Sequence, residues 1–365
     1  MSKRWAIVGA GNGGHAFAAY LALQGLDIAV WDIVPETVEV LNRQGGVYIE
    51  GNGHLKGRPL RGFGKIAFAS TDIGRVIGDA EVIWLILPSI YHKATAEKMA
   101  PYLRNGQIVI LNPTAPLGPI EFEKALHDSG CTADVTLAAS CTLLFAARLK
   151  EAGRVFINGQ KVDVAAAAYP SSRNARVEAV TAPYFPEFRY VRDILAVSFD
   201  NMNFEFHPGP TLLYTAMIEK GMDFQYYLDF VPSQVKLIEA IDAERMALCR
   251  IYGYDDAVDA AEAFRTMYGY KGELLEMLTS ADCYRGIMGP KSLQGLRYLE
   301  EDVPYALRAI QTLGKIARIE TTAIDTVINL AYILRGEALA EGRTMANLGF
   351  DENTTVADVL RMCRG

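Results

Sequence analysis

What this sequence has little of narrows it quickly. Its 365 residues include five cysteines: Cys131, Cys141, Cys249, Cys283 and Cys363. They are widely spaced and form no CxxC pair, which argues against a disulfide scaffold and against a zinc site. They read as small apolar residues of a chain kept in a reducing compartment, and no metal centre is expected. Long apolar runs are missing too. The longest, Val82 to Pro88, falls far short of the roughly 20 residues that span a bilayer. No secretory leader is legible, because a strand-like run starts at Trp5. A cytoplasmic protein with no membrane partner is the expectation. Positive charge is in deficit, with 36 Lys and Arg against 43 Asp and Glu, a net charge of −7. Nucleic-acid binding needs a concentrated basic face and is disfavoured. An anionic ligand would have to be held by a few local cations, since the protein as a whole repels it.

What is present is an ordinary folded composition, 50% hydrophobic and 22% charged, at a length that suggests two domains. The first half alternates short β-rich runs with helical patterns. Strands are expected at Trp5–Val8, Ile28–Asp32, Ala80–Pro88, Gln107–Pro113 and Val135–Ser140, with helices at His15–Gln24, Pro35–Arg43 and Ala94–Leu103. The strand runs are apolar throughout and do not alternate, as strands buried on both faces of a parallel sheet do. Arg154–Asn158 and Val162–Tyr169, joined by Gly159-Gln160, read as a closing hairpin. From Thr211 onward nearly everything has helical period. The expected architecture is α/β followed by all-α. Residues 1–190 are expected to form a Rossmann-type doubly wound parallel sheet, of the type that holds nucleotides, and residues 191–365 a helical domain.

Gly9-Ala10-Gly11-Asn12-Gly13-Gly14 fits GxGxxG, which is weak alone. Here it follows a strand, opens a helix and is answered by Asp32 at the end of the next strand. Gly9 would make the tight turn, Gly11 would let a pyrophosphate approach the backbone, and Gly14 would let helix and strand pack closely. The phosphates would meet the helix N-terminus. Asp32 would accept hydrogen bonds from the ribose hydroxyls and repel a 2′-phosphate, and no basic residue follows it. NAD is therefore favoured over NADP. Leu87-Pro88 closes the fourth strand, where the cofactor would touch it.

Hydride transfer to a carbonyl or imine calls for a proton donor that titrates near neutrality, a task suited to histidine. The chain has five: His15, His54, His92, His127 and His207. His54 in a glycine-rich loop and His127 at a helix end read as solvated. His15, just after the glycine turn, would face the cofactor or cap the helix. His92 lies past the end of a strand, and His207 lies in a polar, Pro/Gly-rich connection, Asn201 to Pro210, between the two domains. Ligand sites favour such interfaces, and by position alone His92 and His207 are comparable.

Four segments resemble the octopine/opine dehydrogenase family across nearly the whole chain. They are Gly9 to Ala18; Asn201 to Pro208; Asp223-Phe224, Tyr227, Pro232 to Val235 and Ile241 to Arg245; and Arg297 to Tyr305. The resemblance implies that His207 is the proton shuttle, Asp302 its orienting partner, and Arg297 the grip on a substrate carboxylate. His92 and Thr142 are the remaining substrate-binding candidates. Without it, Asp302 reads as a helix N-cap and Arg297 as an exposed helical residue. It further implies an NADH-dependent reductive condensation of an α-keto acid, such as pyruvate, with an amino acid, and the reverse oxidation. The partners are then small molecules. A helical second domain often carries a homodimer interface, but no residue here fixes an oligomeric state.

One stretch departs from the family pattern. A glutamate and then Thr-Leu-Pro-Tyr are expected before Arg148, whereas this chain has Ser140-Cys141-Thr142-Leu143-Leu144-Phe145-Ala146-Ala147. Loss of the acid disfavours a basic amino donor such as arginine. Two other readings of the chain remain at this stage. One is a hydroxy-acid, ketopantoate- or glycerol-3-phosphate-type reductase, and the other is a non-enzymatic NADH sensor.

Overall fold

The computed structural model describes residues 4–365, with the side chains of Met267, Tyr268, Cys283 and Glu337 left aside, so the reading of Cys283 falls outside the described residues. The chain forms two compact units. One runs to Asp200 and takes back Arg361–Gly365, and the other is Asn201–Leu360.

The first unit is built on an eight-stranded sheet. Its strands are β1 (Arg4–Val8), β2 (Asp27–Trp31), β5 (Phe68–Ser70), β6 (Ala80–Leu85), β7 (Ile108–Leu111), β8 (Thr136–Ser140), β11 (Val164–Tyr169) and β12 (Phe188–Tyr190), in the order β12-β11-β8-β7-β6-β1-β2-β5. All neighbours are parallel except β11 and β8. β1 lies between β2 and β6, so the chain crosses over there and opens a crevice beyond the carboxyl end of β1.

A second sheet was not legible in the sequence. Strands β3 (Gly46–Leu55), β4 (Arg58–Lys65), β9 (Phe145–Glu151) and β10 (Arg154–Gln160) form it in the order β4-β3-β10-β9. The expected hairpin of 154–158 with 162–169 is therefore corrected. β10 pairs with β9 across a turn at Gly153 (φ +83°), while β11 leaves to join the main sheet. The reason is burial. Val164 to Tyr169 is buried at every position, which suits a central strand, whereas β9 alternates buried and exposed residues at its start. His54, expected in a loop, lies on β3, still exposed.

The helix α1 (Asn12–Ala22) packs on β1 and on β3, β4, β9 and β10. Covered by both sheets, it can be apolar all round, and Ala16 to Leu21 are almost wholly buried. Phe17 meets Trp84 at 5.2 Å, Phe145 at 5.6 Å and Phe185 at 5.1 Å between ring centroids, an aromatic layer that holds the glycine turn to the sheet.

The domain boundary also moves. The first unit continues past 190 because Asp193 is buried and caps a helix, α2 (Ile194–Phe199), through the Leu195 and Ala196 N–H groups. Asp193 also pairs with Arg364 at 3.0 Å, which ties the C-terminal residues to this unit.

The second unit is helical. Its longer helices are α4 (Pro232–Ile251), α5 (Arg308–Ala317) and α6 (Thr322–Arg335). Asn201 to Pro210, read above as a polar connection, is corrected to buried helix. α3a (Asn203–Phe206) and α3b (Pro208–Leu213) meet at His207. Phe204 and Phe206 drive that burial, and Pro208 suits the first turn of the second helix. No helix among the described residues is long and apolar enough to cross a membrane.

Candidate active site

In the first unit the site grows from the glycine turn. Gly9 sits at φ +102°, and a Cβ there would meet the Ile86 oxygen at 2.5 Å. At Gly14 a Cβ would lie 1.8 Å from the Gly9 oxygen, so only glycine lets α1 start this close to β1. Gly11 is the opposite case, with nothing within 4 Å of where a Cβ would be. The turn is thus closed beneath Gly9 and Gly14 and open above Gly11. No acidic side chain occupies the first turn of α1. An open backbone at a helix N-terminus fits a pyrophosphate.

Two members of the turn are otherwise engaged. The Ala10 N–H donates to Asp32 Oδ2 at 2.5 Å, and Asn12 Oδ1 accepts from the Leu149 N–H at 2.8 Å. Ala10 therefore offers no N–H to a phosphate, and the Asn12 amide anchors β9. Asp32 also accepts from the Val34 N–H at 2.9 Å. A carboxylate has about four acceptor sites, so capacity for ribose hydroxyls remains. Leu87 is half-buried and Pro88 exposed, just past the carboxyl end of β6.

Three other candidates make hydrogen bonds within the first unit. His15 is buried, its Nδ1–H donates to the Gly11 oxygen at 3.1 Å, and its Nε2 accepts from the Gly153 N–H at 3.0 Å, so it does not face a cofactor. Burial lowers its pKa. His92 has no exposed surface and bonds the Leu87 oxygen through Nε2 at 3.0 Å, in the turn after β6. Thr142 accepts a hydrogen bond from the Lys161 ammonium on its hydroxyl. His127 is exposed near the end of its helix.

In the second unit, His207 and Asp302 come together although 95 residues apart in sequence. His207 Nδ1 lies 2.7 Å from Asp302 Oδ2, and both side chains are buried. Asp302 does not cap a helix. It opens a π-helical turn, Asp302–Leu307, a distortion that favours functional positions because it re-aims side chains. With Nδ1–H given to the carboxylate, Nε2 is the nitrogen left for other partners. Tyr298 stacks on the imidazole at 4.0 Å and 18°, and the Tyr227 hydroxyl meets Nε2 at 3.0 Å. Tyr226 reaches the His207 carbonyl oxygen with its hydroxyl at 2.8 Å.

Arg297 stands half-exposed, with Nη1 3.3 Å from Glu301 Oε2. Its partial burial opposes the charge, but Asp302 and Glu301 outweigh that and raise its pKa. It stays a cation beside the imidazole–carboxylate pair. Below them lies an ion cluster absent from the sequence reading. Arg245 Nε is 2.7 Å from Glu205 Oε1, and Arg245 Nη2 is 2.5 Å from Asp242 Oδ1, all buried. Burial pushes the Glu205 carboxyl up, with Arg245 opposing. Glu205 precedes His207 by two residues, so the cluster fixes α3a where it hands over to α3b. Helical spacing of Asp242 and Arg245 hinted at one pair; Glu205, Tyr227 and Tyr298 lie in the segments that carry the resemblance, but their meeting around His207 and Arg245 left no local signal.

A dinucleotide cradle in one unit and an oriented imidazole with a neighbouring guanidinium in the other define a nicotinamide-dependent oxidoreductase. Comparison with known proteins narrows the class. Residues 190–335 match the family described as NAD/NADP octopine/nopaline dehydrogenase, alpha-helical domain. Residues 4–113 match the NAD-dependent glycerol-3-phosphate dehydrogenase N-terminus, a likeness that stops within the first unit. An opine dehydrogenase of Arthrobacter sp. (strain 1C) is 35% identical over 351 residues, 95% of each chain. The vitopine synthase of Allorhizobium ampelinum is 25% identical, over 97% of this chain and 98% of its own. The fold is that of an octopine dehydrogenase solved with NADH and L-arginine, with a TM-score of 0.83 at 18% identity over 98% of both chains. The chain belongs to the opine dehydrogenase family, NAD-dependent oxidoreductases that act on the secondary amines called opines.

Proposed function

We propose that this chain joins an α-keto acid of pyruvate's kind to the amino group of an amino acid, using NADH, and runs the reverse oxidation. The observation that carries this reading is the buried 2.7 Å contact between His207 and Asp302, with the Arg297 cation five residues upstream of the aspartate. His207 Nε2 takes the proton of the substrate ammonium, so that a neutral amine attacks the keto carbon. The imidazolium then returns its proton to the carbinol oxygen, which leaves as water and gives an imine. Asp302 fixes the tautomer and stabilises the imidazolium. Arg297 pairs with a carboxylate through its fork of N–H donors, which is how an acidic protein holds an acidic substrate. Gly11, Gly13, Gly14 and Asp32 would hold the NADH, which supplies the hydride when bound.

The amino donor is one without a basic side chain. Ser140 and Cys141 stand where an acid would balance such a charge, and the Lys161 ammonium sits on the neighbouring Thr142. The free thiols of Cys131, Cys141, Cys249 and Cys363 and the need for reduced nicotinamide support a cytoplasmic reaction.

Purified protein with NADH, a keto-acid panel and an amino-acid panel tests the proposal. NADH loss that requires an amine, with neutral amino acids ahead of arginine and lysine, is the expected result. Consumption with keto acid alone would assign a simple reductase instead. His207→Asn should lower turnover by about two to four decades and leave NADH binding intact.

A further inference from the structure

His207 Nε2, the nitrogen left to take up the substrate's proton, already has a partner in the Tyr227 hydroxyl at 3.0 Å. That hydroxyl is not placed there by chance rotation of an exposed ring. Tyr227 is 7% exposed, its ring stacks on Tyr284 at 3.9 Å and 16°, and it packs edge-on to Tyr226 at 4.9 Å. Tyr226 is itself tied to the His207 backbone, so imidazole and phenol are held in one rigid frame. The imidazole has no slack either, with Asp302 on Nδ1 and Tyr298 stacked on it.

Resting on the proposed function, we propose that Tyr227 is a proton-relay residue for His207. A phenol both donates and accepts, so it can face Nε2 in either protonation state. When His207 is neutral, Tyr227 O–H donates to Nε2. When it is the imidazolium, Nε2–H donates to the Tyr227 oxygen. The two transfers are coupled. As the substrate ammonium gives its proton to the Tyr227 oxygen, the phenol passes its own proton to Nε2. The neutral amine and the imidazolium result, and the phenol is unchanged. Later Nε2–H returns its proton to the Tyr227 oxygen while the phenol proton goes to the carbinol oxygen, which departs as water. Charge and protons balance at each step, and no phenolate is needed. A relay of this kind lets the imidazole remain buried against Asp302 and Tyr298 while the reacting groups exchange protons at the phenol.

Tyr227→Phe tests this, because it removes one oxygen and keeps the ring stacked on Tyr284. NADH binding, followed by its fluorescence, and the thermal melt should stay as in wild type. The amine-dependent kcat should fall about ten- to a hundredfold, at or below the lower end of the usual acid–base contribution, because His207 itself is retained. The solvent deuterium effect on kcat should change as well: a curved proton inventory in the wild type, from two protons in flight, should become linear in the variant. In the His207→Asn background, Tyr227→Phe should cost nothing further, since a relay without its base is idle. A Tyr227→Phe enzyme with wild-type kcat and isotope effect overturns the relay, and so does a faster one, which would make Tyr227 a latch. Losses that multiply in the double variant also overturn it. If the wild type itself shows no amine-dependent turnover, the proposed function fails and the relay with it; if only the Tyr227 predictions fail, the function stands.

Discussion

Histidine beside a phosphate-binding turn invites a catalytic reading, and His15 shows why type and position are not enough. Its Nδ1–H is given to Gly11 and its Nε2 accepts from Gly153, so the neutral ring is a strut between α1 and the β9–β10 turn. Protonation would set Nε2–H against the Gly153 N–H. The folded pKa is accordingly depressed below 6.5, chiefly by burial. The unfolded chain then binds a proton near pH 6.5 that the folded chain refuses. The stability linked to His15 is present above pH 6.5 and is lost as pH falls below it. The limiting slope is about 1.4 kcal/mol per pH unit for one proton. Denaturant melts from pH 7.5 to 5 should show a loss that His15→Gln flattens. His207, whose Nε2 meets a hydroxyl able to accept as well as donate, has room for its proton. The five histidines were legible as a list, but their sorting was not, because it depends on which backbone atoms reach each ring.

At the scale of elements, the π turn decides where Asp302 points, and another segment of the chain holds it. The Pro304 carbonyl accepts from the Arg343 N–H at 2.9 Å, and Gly342, at φ +78°, lies so close that a Cβ would be 1.9 Å from the Pro304 oxygen. Arg343 is fully buried and reaches the Tyr305 carbonyl oxygen at 3.3 Å. Gly342→Ala should cost about 1–3 kcal/mol through strain at that contact, read as a lower denaturation midpoint. It should also lower kcat, with KM for NADH unchanged, because the displaced turn loosens Asp302 from His207. A destabilised variant with wild-type kcat would show that the clamp does not reach the site. Short, uniformly apolar strands were readable from composition and amphipathic helices from their period. The glycine-rich β3 and β4 were not, since glycine in an exposed strand looks like loop, and the turn at Gly153 was passed over for Gly159-Gln160.

For the molecule as a whole, two cores with separate tasks have a thermodynamic consequence. A ligand stabilises only what it binds, so NADH at a hundredfold excess over its Kd should add about 2.7 kcal/mol to the first unit. Calorimetry should show that gain, and His207→Asn should retain it, because the variant lies in the other unit. The net charge of −7 bears on the proposed acidic substrate instead, which Arg297 would hold against it.

Five strands of the main sheet (β1, β2, β6, β7 and β8), the glycines of the turn and the acid at Asp32 were legible in the sequence, because apolar composition and backbone geometry act within a few residues. By resemblance the sequence also pointed to His207, Asp302 and Arg297. Only the tertiary structure decided that Asp302 orients the imidazole instead of capping a helix, that His15 and His92 are committed to backbone, and that Tyr227 and Tyr298 enclose His207. Those outcomes depend on side chains from distant segments sharing one buried space, where each donor must find an acceptor, and no local pattern records that pairing.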